Sequence, residues 1–250
     1  MPEESLSLSK APIVEAVVDI DCEMSTINWE DMERRAAIPF LNQYPVVSRQ
    51  VLNQATLEAA GADEPKVSMS RSLQALRFGQ KDGRQLVQVR AQGFSFNRLA
   101  PYASLDDYMS EIQRTWRAFV ELTTPIQVRA IRLRYINQIP LPLGDGNLDL
   151  GDYFTLGPGM PKEENLTFAN FLNRFSLVET PTGNQVSITL ATNGSVDKVL
   201  PVVLDIEATT HLAVDPADWP PLLDKIQSLR DLKNRVFKNT LTEKCLKLFQ

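Results

Sequence analysis

Residues 126–139, IQVRAIRLRYINQI, constrain the fold more than any other stretch of the chain. Apolar and charged side chains alternate along it, as in Ile131, Arg132 and Leu133, and this period of two is typical of a β-strand. A strand of this length with one apolar face needs neighbouring strands and a layer that covers that face. The sequence therefore predicts a sheet in which this strand is central.

The hydrophobic pattern divides the chain into two segments with a similar order of elements. After an expected lead-in at 1–11, residues 12–124 predict a strand, a helix, three or four strands and a long helix. Residues 125–250 predict a strand, a loop-rich insertion at 140–165, three strands and a long helix. This order favours an α+β fold with a duplicated strand-helix-strands-helix unit, antiparallel sheets and long helices packed on one side. It is analogous, in fold alone, to the TATA-binding-protein-like and helix-grip folds.

The first predicted strand carries a row of carboxylates. Glu15, Asp19 and Asp21 alternate there with apolar residues. If the first strands of the two halves pair, these carboxylates lie near Arg132 and Arg134 on one face of the sheet. Such cross-strand charge pairs contribute about 0.2–1 kcal/mol each, which is enough to favour one register.

The charge is unevenly distributed. The formal net charge is −5, yet residues 45–134 hold 13 Lys and Arg against 8 Asp and Glu. Arginines on strands, next to Phe94 and Phe96, could grip phosphates and stack bases. Alternatively, the phenylalanines belong to the core and the arginines pair with carboxylates. The arginines concerned are Arg71, Arg77, Arg84, Arg90, Arg98, Arg132 and Arg134.

Several chemistries have no motif in this sequence. One histidine and two distant cysteines cannot supply a His/Cys metal cluster. The sequence also lacks the glycine motifs that cradle phosphates and the G-x-S-x-G elbow of serine hydrolases. No cofactor is expected.

One strand could still carry catalytic groups. In LDIEATTHL at 204–212, the period of two places Asp205, Glu207 and His211 on one face. These groups could bind a divalent metal and support hydrolysis, or they could be the solvated face of an antiparallel strand. The same two alternatives apply to the carboxylates of the first strand.

Three polar residues interrupt apolar patterns. Asn97 and Arg98 follow an apolar run, and Asn137 falls in the apolar register of its strand. Buried polar groups must be hydrogen-bonded, so each is either a structural clasp or part of a recognition site.

Four segments resemble a known family: APIVEAVVDI at 11–20, GFSFNRLAPY at 93–102, TWRAFVEL at 115–122 and RLRYINQI at 132–139. With them, the chain resembles a sporadically distributed bacterial family of proteins of similar length whose function is unknown. The likeness spans essentially the whole chain. It implies an accessory locus, such as a mobile or phage-defence locus, and it implies no catalytic residues.

Together these patterns predict a non-enzymatic protein that binds another macromolecule. A protein partner is expected; a nucleic-acid-binding component, a metal-dependent hydrolase and a homodimer are the alternatives, and no membrane is expected. The candidate binding residues are Glu15, Asn97, Arg98, Arg132, Arg134 and Asn137. Without a signal-peptide pattern, and with Cys22 and Cys245 in apolar segments, a cytoplasmic location is predicted.

Overall fold

The computed structural model describes residues 8, 10–58, 66–143, 148–157, 170–192, 194 and 198–250. Most of the expected lead-in, and residues 144–147 and 158–165 of the expected insertion, lie outside these residues. The strands are β1 (Ile13–Glu23), β2 (Val46–Glu58), β3 (Lys66–Gly79), β4 (Gln85–Arg90), β5 (Gly93–Leu99), β6 (Gln127–Pro142), β7 (Phe171–Val178), β8 (Gln185–Thr192) and β9 (Val199–Val214). The helices are α1 (Trp29–Phe40), α2 (Asp106–Thr123), α3 (Trp219–Thr240) and α4 (Glu243–Leu246), with 3₁₀ turns at Leu150–Asp152 and Lys247–Phe249.

The strands form one nine-stranded antiparallel sheet in the order β2-β3-β4-β5-β1-β6-β9-β8-β7. The strand predicted at 126–139 is confirmed as β6, which extends to Pro142. β1 and β6 are neighbours in the middle of the sheet, and Asp19 lies opposite Arg132. On its other side β6 pairs with β9, from Val128 opposite Val214 to Pro142 opposite Val199.

The expected duplicated unit is wrong. All the strands belong to one sheet, in which five precede α2 and four follow it. Between β6 and β7, the described residues contain a single 3₁₀ turn where the first half has α1. Glycines are consistent with this difference, because Gly151 and Gly157 disfavour a helix in the described residues of this segment.

The helices also differ from the expected repeated layer of long helices on one side. The 12-residue α1 packs against α2 and β3, whereas the 22-residue α3 packs against β6 and β9. Pro39 lies in the last turn of α1, which limits the length of that helix. The analogy with the TATA-binding-protein-like and helix-grip folds therefore does not hold.

A continuous apolar core joins the sheet to its helices. The ring centroid of Phe94 in β5 lies 5.7 Å from the centroids of both Trp116 and Phe119 in α2. Leu222 and Ile226 of α3 are fully buried. Each large side chain buried in this way stabilises the fold by about 1.5–3 kcal/mol.

Side-chain oxygens satisfy free amides at the helix starts. Asn28 accepts from two amides of α1, and Thr242 caps α4. At α2 the capping position is Leu105, which has no side-chain oxygen, and Ser104 lies one residue before it. Ser104 Oγ accepts from the amide of Asp106 at 3.3 Å. This contact fixes the start of α2, where Asp106 meets α3.

Candidate functional site

The structure separates the sequence-predicted binding residues into two groups. Glu15, Asn97, Arg132 and Arg134 take part in a polar network on the sheet face opposite the apolar core. Asn137 points to the core side, where it lines a cavity. Arg98 extends from the end of β5 to Tyr108 of α2, so the predicted residues do not form one site.

Charge pairs link β1 to β6 and, across β5, to β4 on the polar face. Arg90 Nη2 donates to Asp21 Oδ1 at 2.7 Å, and Arg132 Nη1 lies 2.6 Å from Asp21 Oδ2. Asp19 lies 3.6 Å from Arg90 and 3.9 Å from Arg132, and it accepts from Ser95. The expected pairing of the β1 carboxylates with Arg132 is confirmed. These arginines are engaged by carboxylates and are not free cations.

Arg134 pairs with β9 instead of β1. Its Nε donates to Asp205 Oδ1 at 2.9 Å and its Nη2 donates to Oδ2 at 2.6 Å, a bidentate contact. The hydrogen bonds from Arg134 to Asp205 raise the pKa of the guanidinium. In the described part of the chain, no group of three or more His, Cys, Asp or Glu could hold a metal ion. The Asp205, Glu207 and His211 hypothesis therefore gains no support from the geometry.

Asn97 is a link in a hydrogen-bond chain across five strands. Its Nδ2 donates to Glu15 Oε1 at 2.7 Å, and its Oδ1 accepts from Gln88 Nε2 at 2.9 Å. Gln88 Oε1 accepts from Arg77, which also donates to Gln50. The chain runs from β2 through β3, β4 and β5 to β1, so Asn97 acts as a structural clasp.

A cavity of about 770 Å³ lies on the core side, where β6, the start of β1, the 102–105 segment and α3 meet. This volume is in the range of small-molecule sites. We call it the Lys233 pocket. The pocket is lined by apolar, aromatic and charged side chains, which include Ile13, Tyr102, Tyr135, Asn137, Arg230, Asp231, Lys233, Arg235, Phe237 and Lys238.

Lys233 is the unusual residue of this pocket. It is 8 % exposed and, within the described residues, its ammonium has no hydrogen-bond or ion-pair partner. The Nζ atom lies 3.8 Å from the ring centroid of Tyr135, a cation–π contact. Burial, with a smaller effect from the charge of Arg230, lowers the pKa of Lys233 from its ordinary value of 10.5 to about 7. Placing an ammonium in such a sheltered position without a counter-ion among the described residues is costly, which makes Lys233 a candidate site residue.

Two tyrosines form the aromatic wall beside this amine. The hydroxyls of Tyr102 and Tyr135 are hydrogen-bonded at 2.8 Å, and their rings meet edge to face with centroids 5.5 Å apart. Burial raises the pKa of both phenols, to about 12 for Tyr135. Both Tyr102 and Tyr135 are therefore neutral at physiological pH. Next to them, the Arg98 guanidinium lies 5.0 Å from the ring centroid of Tyr108.

Asn137 has an unpaired acceptor. Its Nδ2 donates to the carbonyl oxygens of Leu204 at 2.9 Å and Tyr135 at 3.3 Å. Because both partners are carbonyls, the orientation of the amide is fixed. Its buried Oδ1 has no hydrogen-bond partner among the described residues. The Asn137 side chain was expected to be hydrogen-bonded. Among the described residues this holds for its nitrogen and not for its oxygen.

The charges around the pocket leave a net positive centre. Arg230 binds Asp106 through two hydrogen bonds of 2.7 and 2.9 Å, and Arg235 pairs with Glu179. These two arginines are therefore neutralised, whereas the charge of Lys233 is not. Sequence reasoning missed Lys233 and Tyr102. A lysine in the apolar stripe of α3, four residues after Leu229 and four before Phe237, was the available signal.

Comparison with known proteins adds no family. No protein-family model matches this sequence, and no curated protein matches it significantly. The resemblance to a sporadically distributed bacterial family stays a prediction. None of the helices in the described residues is long and apolar enough to cross a membrane.

Proposed function

We propose that this protein binds a small anionic ligand in the Lys233 pocket. The observation that carries the proposal is Lys233, a residue only 8 % exposed whose ammonium faces the pocket and has no carboxylate partner among the described residues. A carboxylate or phosphate group would supply the missing counter-ion and would offset the cost of burying the charge.

The shape and lining of the pocket support a ligand with both polar and apolar parts. The anionic group would contact Lys233, while the rest of the ligand would pack against Tyr102, Tyr135 and Phe237. Aromatic side chains beside polar and charged groups can hold the apolar and the anionic parts of one ligand.

The affinity for an anion should depend on pH. The ammonium form of Lys233 is required, and its pKa in the free protein is about 7. Affinity is therefore greatest below pH 7 and falls about tenfold for each further pH unit well above it, because the proton must first be taken up.

Thermal denaturation with inorganic phosphate, and with a set of small carboxylates and phosphate esters, tests the proposal. At least one of these anions should raise the melting temperature of the wild type and of Lys225→Met, which removes an exposed lysine of α3 outside the pocket. The same anion should produce no such increase in Lys233→Met. Equal increases in all three proteins would refute the proposal.

The macromolecular partner expected from the sequence stays a second proposal. Arg90, Arg132 and Arg134 are occupied by carboxylates, which does not favour nucleic acid on the polar face. A cytoplasmic location is also proposed. Cys22 and Cys245 are free and buried, which supports a reducing compartment.

A further inference from the structure

The amine of Lys233 has an environment that suits covalent chemistry as well as ion pairing. It lies at the wall of an open cavity, covered on one side by the ring of Tyr135. No carboxylate of the described residues holds it as an ammonium ion. An amine removed from water in this way is available as a nucleophile in a neutral solution.

We propose that Lys233 forms an imine with a small aldehyde or ketone that also carries an anionic group. This inference rests on the proposed function, because the anionic group is what brings the carbonyl compound into the Lys233 pocket. The proposed function specifies only that the ligand carries an anionic group. This inference adds that the ligand also carries an aldehyde or ketone, which reacts with the amine.

The reaction needs no oxidant or reductant. The lone pair of Nζ attacks the carbonyl carbon, the electrons of the C=O double bond move to oxygen, and a first proton passes from nitrogen to that oxygen to give a neutral carbinolamine. A second proton passes from nitrogen to the departing oxygen, water leaves, and a C=N bond forms. One amine and one carbonyl compound thus give one imine and one water.

Among the described residues, the titratable and charged groups that line the pocket with this amine are Tyr102 from the 102–105 segment, Tyr135 from β6, and Arg230, Asp231, Arg235 and Lys238 from α3. Arg230 is paired with Asp106 and Arg235 with Glu179. The charge of Arg230 adds to the effect of burial and favours the unprotonated amine of Lys233. Imine formation therefore becomes faster from pH 6 to pH 8, whereas reversible anion binding becomes weaker.

Glyoxylate and glycolate form a matched pair of probes. Both carry a carboxylate, but only glyoxylate has an aldehyde. The full chain is incubated with glyoxylate and cyanoborohydride, which reduces an imine to a stable secondary amine, and the modified lysines are located by peptide mass spectrometry. Lys225 of α3 and Lys247, two exposed lysines outside the pocket, serve as internal controls. Glycolate binding is measured separately by calorimetry.

We expect at least ten times more adduct on Lys233 than on Lys225 or Lys247, with a yield that rises between pH 6 and pH 8. In Lys233→Arg, which keeps the cation, the adduct at this position should be absent while glycolate still binds. Glycolate binding without an adduct on Lys233 would overturn the imine and leave the proposed function intact. An adduct on Lys233 without glycolate binding would support the imine and count against anion binding. Equal labelling of the three lysines would overturn the inference.

Discussion

Lys233 occupies a position that α3 otherwise fills with apolar side chains. Leu229 precedes it by one turn of the helix and Phe237 follows it by one turn, and both are buried. A leucine or methionine at this position would extend the apolar core, and no ammonium group would lose its hydrating water. The lysine is therefore a cost to stability that a ligand can offset.

Lys233→Met should make the unliganded protein more stable. The expected gain is about 2 kcal/mol at pH 7, because the substitution removes an uncompensated buried amine and keeps a side chain of similar length. Urea denaturation at pH 7 measures the difference, with Lys225→Met as the control for losing an exposed lysine. A variant less stable than the wild type would show that Lys233 is structurally required.

The same residue should give the wild type a particular pH dependence. The folded pKa of about 7 lies below the ordinary value of 10.5, so between these limits the unfolded chain holds a proton that the folded chain has released. Stability from this group therefore rises with pH across that window, by at most about 1.4 kcal/mol per unit, and is lost as pH falls through 7. Denaturation from pH 6 to pH 10 should show this rise in the wild type and a smaller one in Lys233→Met. Parallel curves would contradict it.

At the scale of elements, one carboxylate of β1 makes ion pairs with strands on both of its sides. Asp21 contacts Arg90 of β4, across β5, and Arg132 of β6, and its side chain is only 21 % exposed. Asp21→Asn should therefore destabilise the fold by about 1–2 kcal/mol, because two half-buried guanidinium groups lose a charged partner. Asp82→Asn, in the exposed pair with Arg84 at 3.9 Å, is the control and should have little effect. Equal urea midpoints for the two variants would contradict this prediction and would show that water screens the ion pairs of Asp21.

The contact between β5 and β1 requires glycine at position 93. Gly93 has φ of +144°, and an added Cβ would overlap the carbonyl oxygen of Ile20 and lie 3.0 Å from Asp21 Cα. Gly93→Ala should destabilise the protein by about 3 kcal/mol or more, because neither backbone can move freely within the ladder. Gly157→Ala, with no atom within 4 Å of the added carbon, is the control. Thermal denaturation would contradict this account if both variants melted like the wild type.

On the scale of the whole molecule, the sheet should unfold as one unit. β1 and β6 join the two halves by a ladder, and Trp116 Nε1 donates to the carbonyl oxygen of Pro216 at 3.0 Å. Circular dichroism and tryptophan fluorescence should therefore give coincident urea transitions. In hydrogen exchange, the backbone amides of β1 and β6 should have similar protection, because the two strands should open together. Two separate transitions would show that the halves at 12–124 and 125–250 are independent domains.

The sequence predicted local elements better than their assembly. Alternation in β1 and β6 has a direct physical cause, because one face of each strand is buried. The pairing of these two strands was an assumption from the expected duplication, and the contact of Asp21 with Arg132 agrees with it. The duplication was wrong because the order of elements along the chain does not reveal how many strands share a sheet. It also does not reveal what replaces a helix in a segment rich in proline and glycine.

The site was harder to predict than the fold. Asn137 interrupts an apolar pattern and was identified, although its single orphaned oxygen became evident only from the neighbouring carbonyls. Lys233 and Tyr102 lie 131 residues apart in the sequence and meet only because α3 covers β6 near the start of α2. A lysine in an apolar stripe is a signal, but its partners depend on this tertiary contact.

The protonation of Lys233, followed by NMR of lysine side chains labelled with ¹³C, tests the central claim most directly. In the free protein this amine should titrate near pH 7, apart from the other lysines, and saturating phosphate or carboxylate should raise its pKa by at least one unit. If the amine titrates near 10.5 and no anion changes its pKa, Lys233 is an ordinary solvated lysine and the proposed site does not exist.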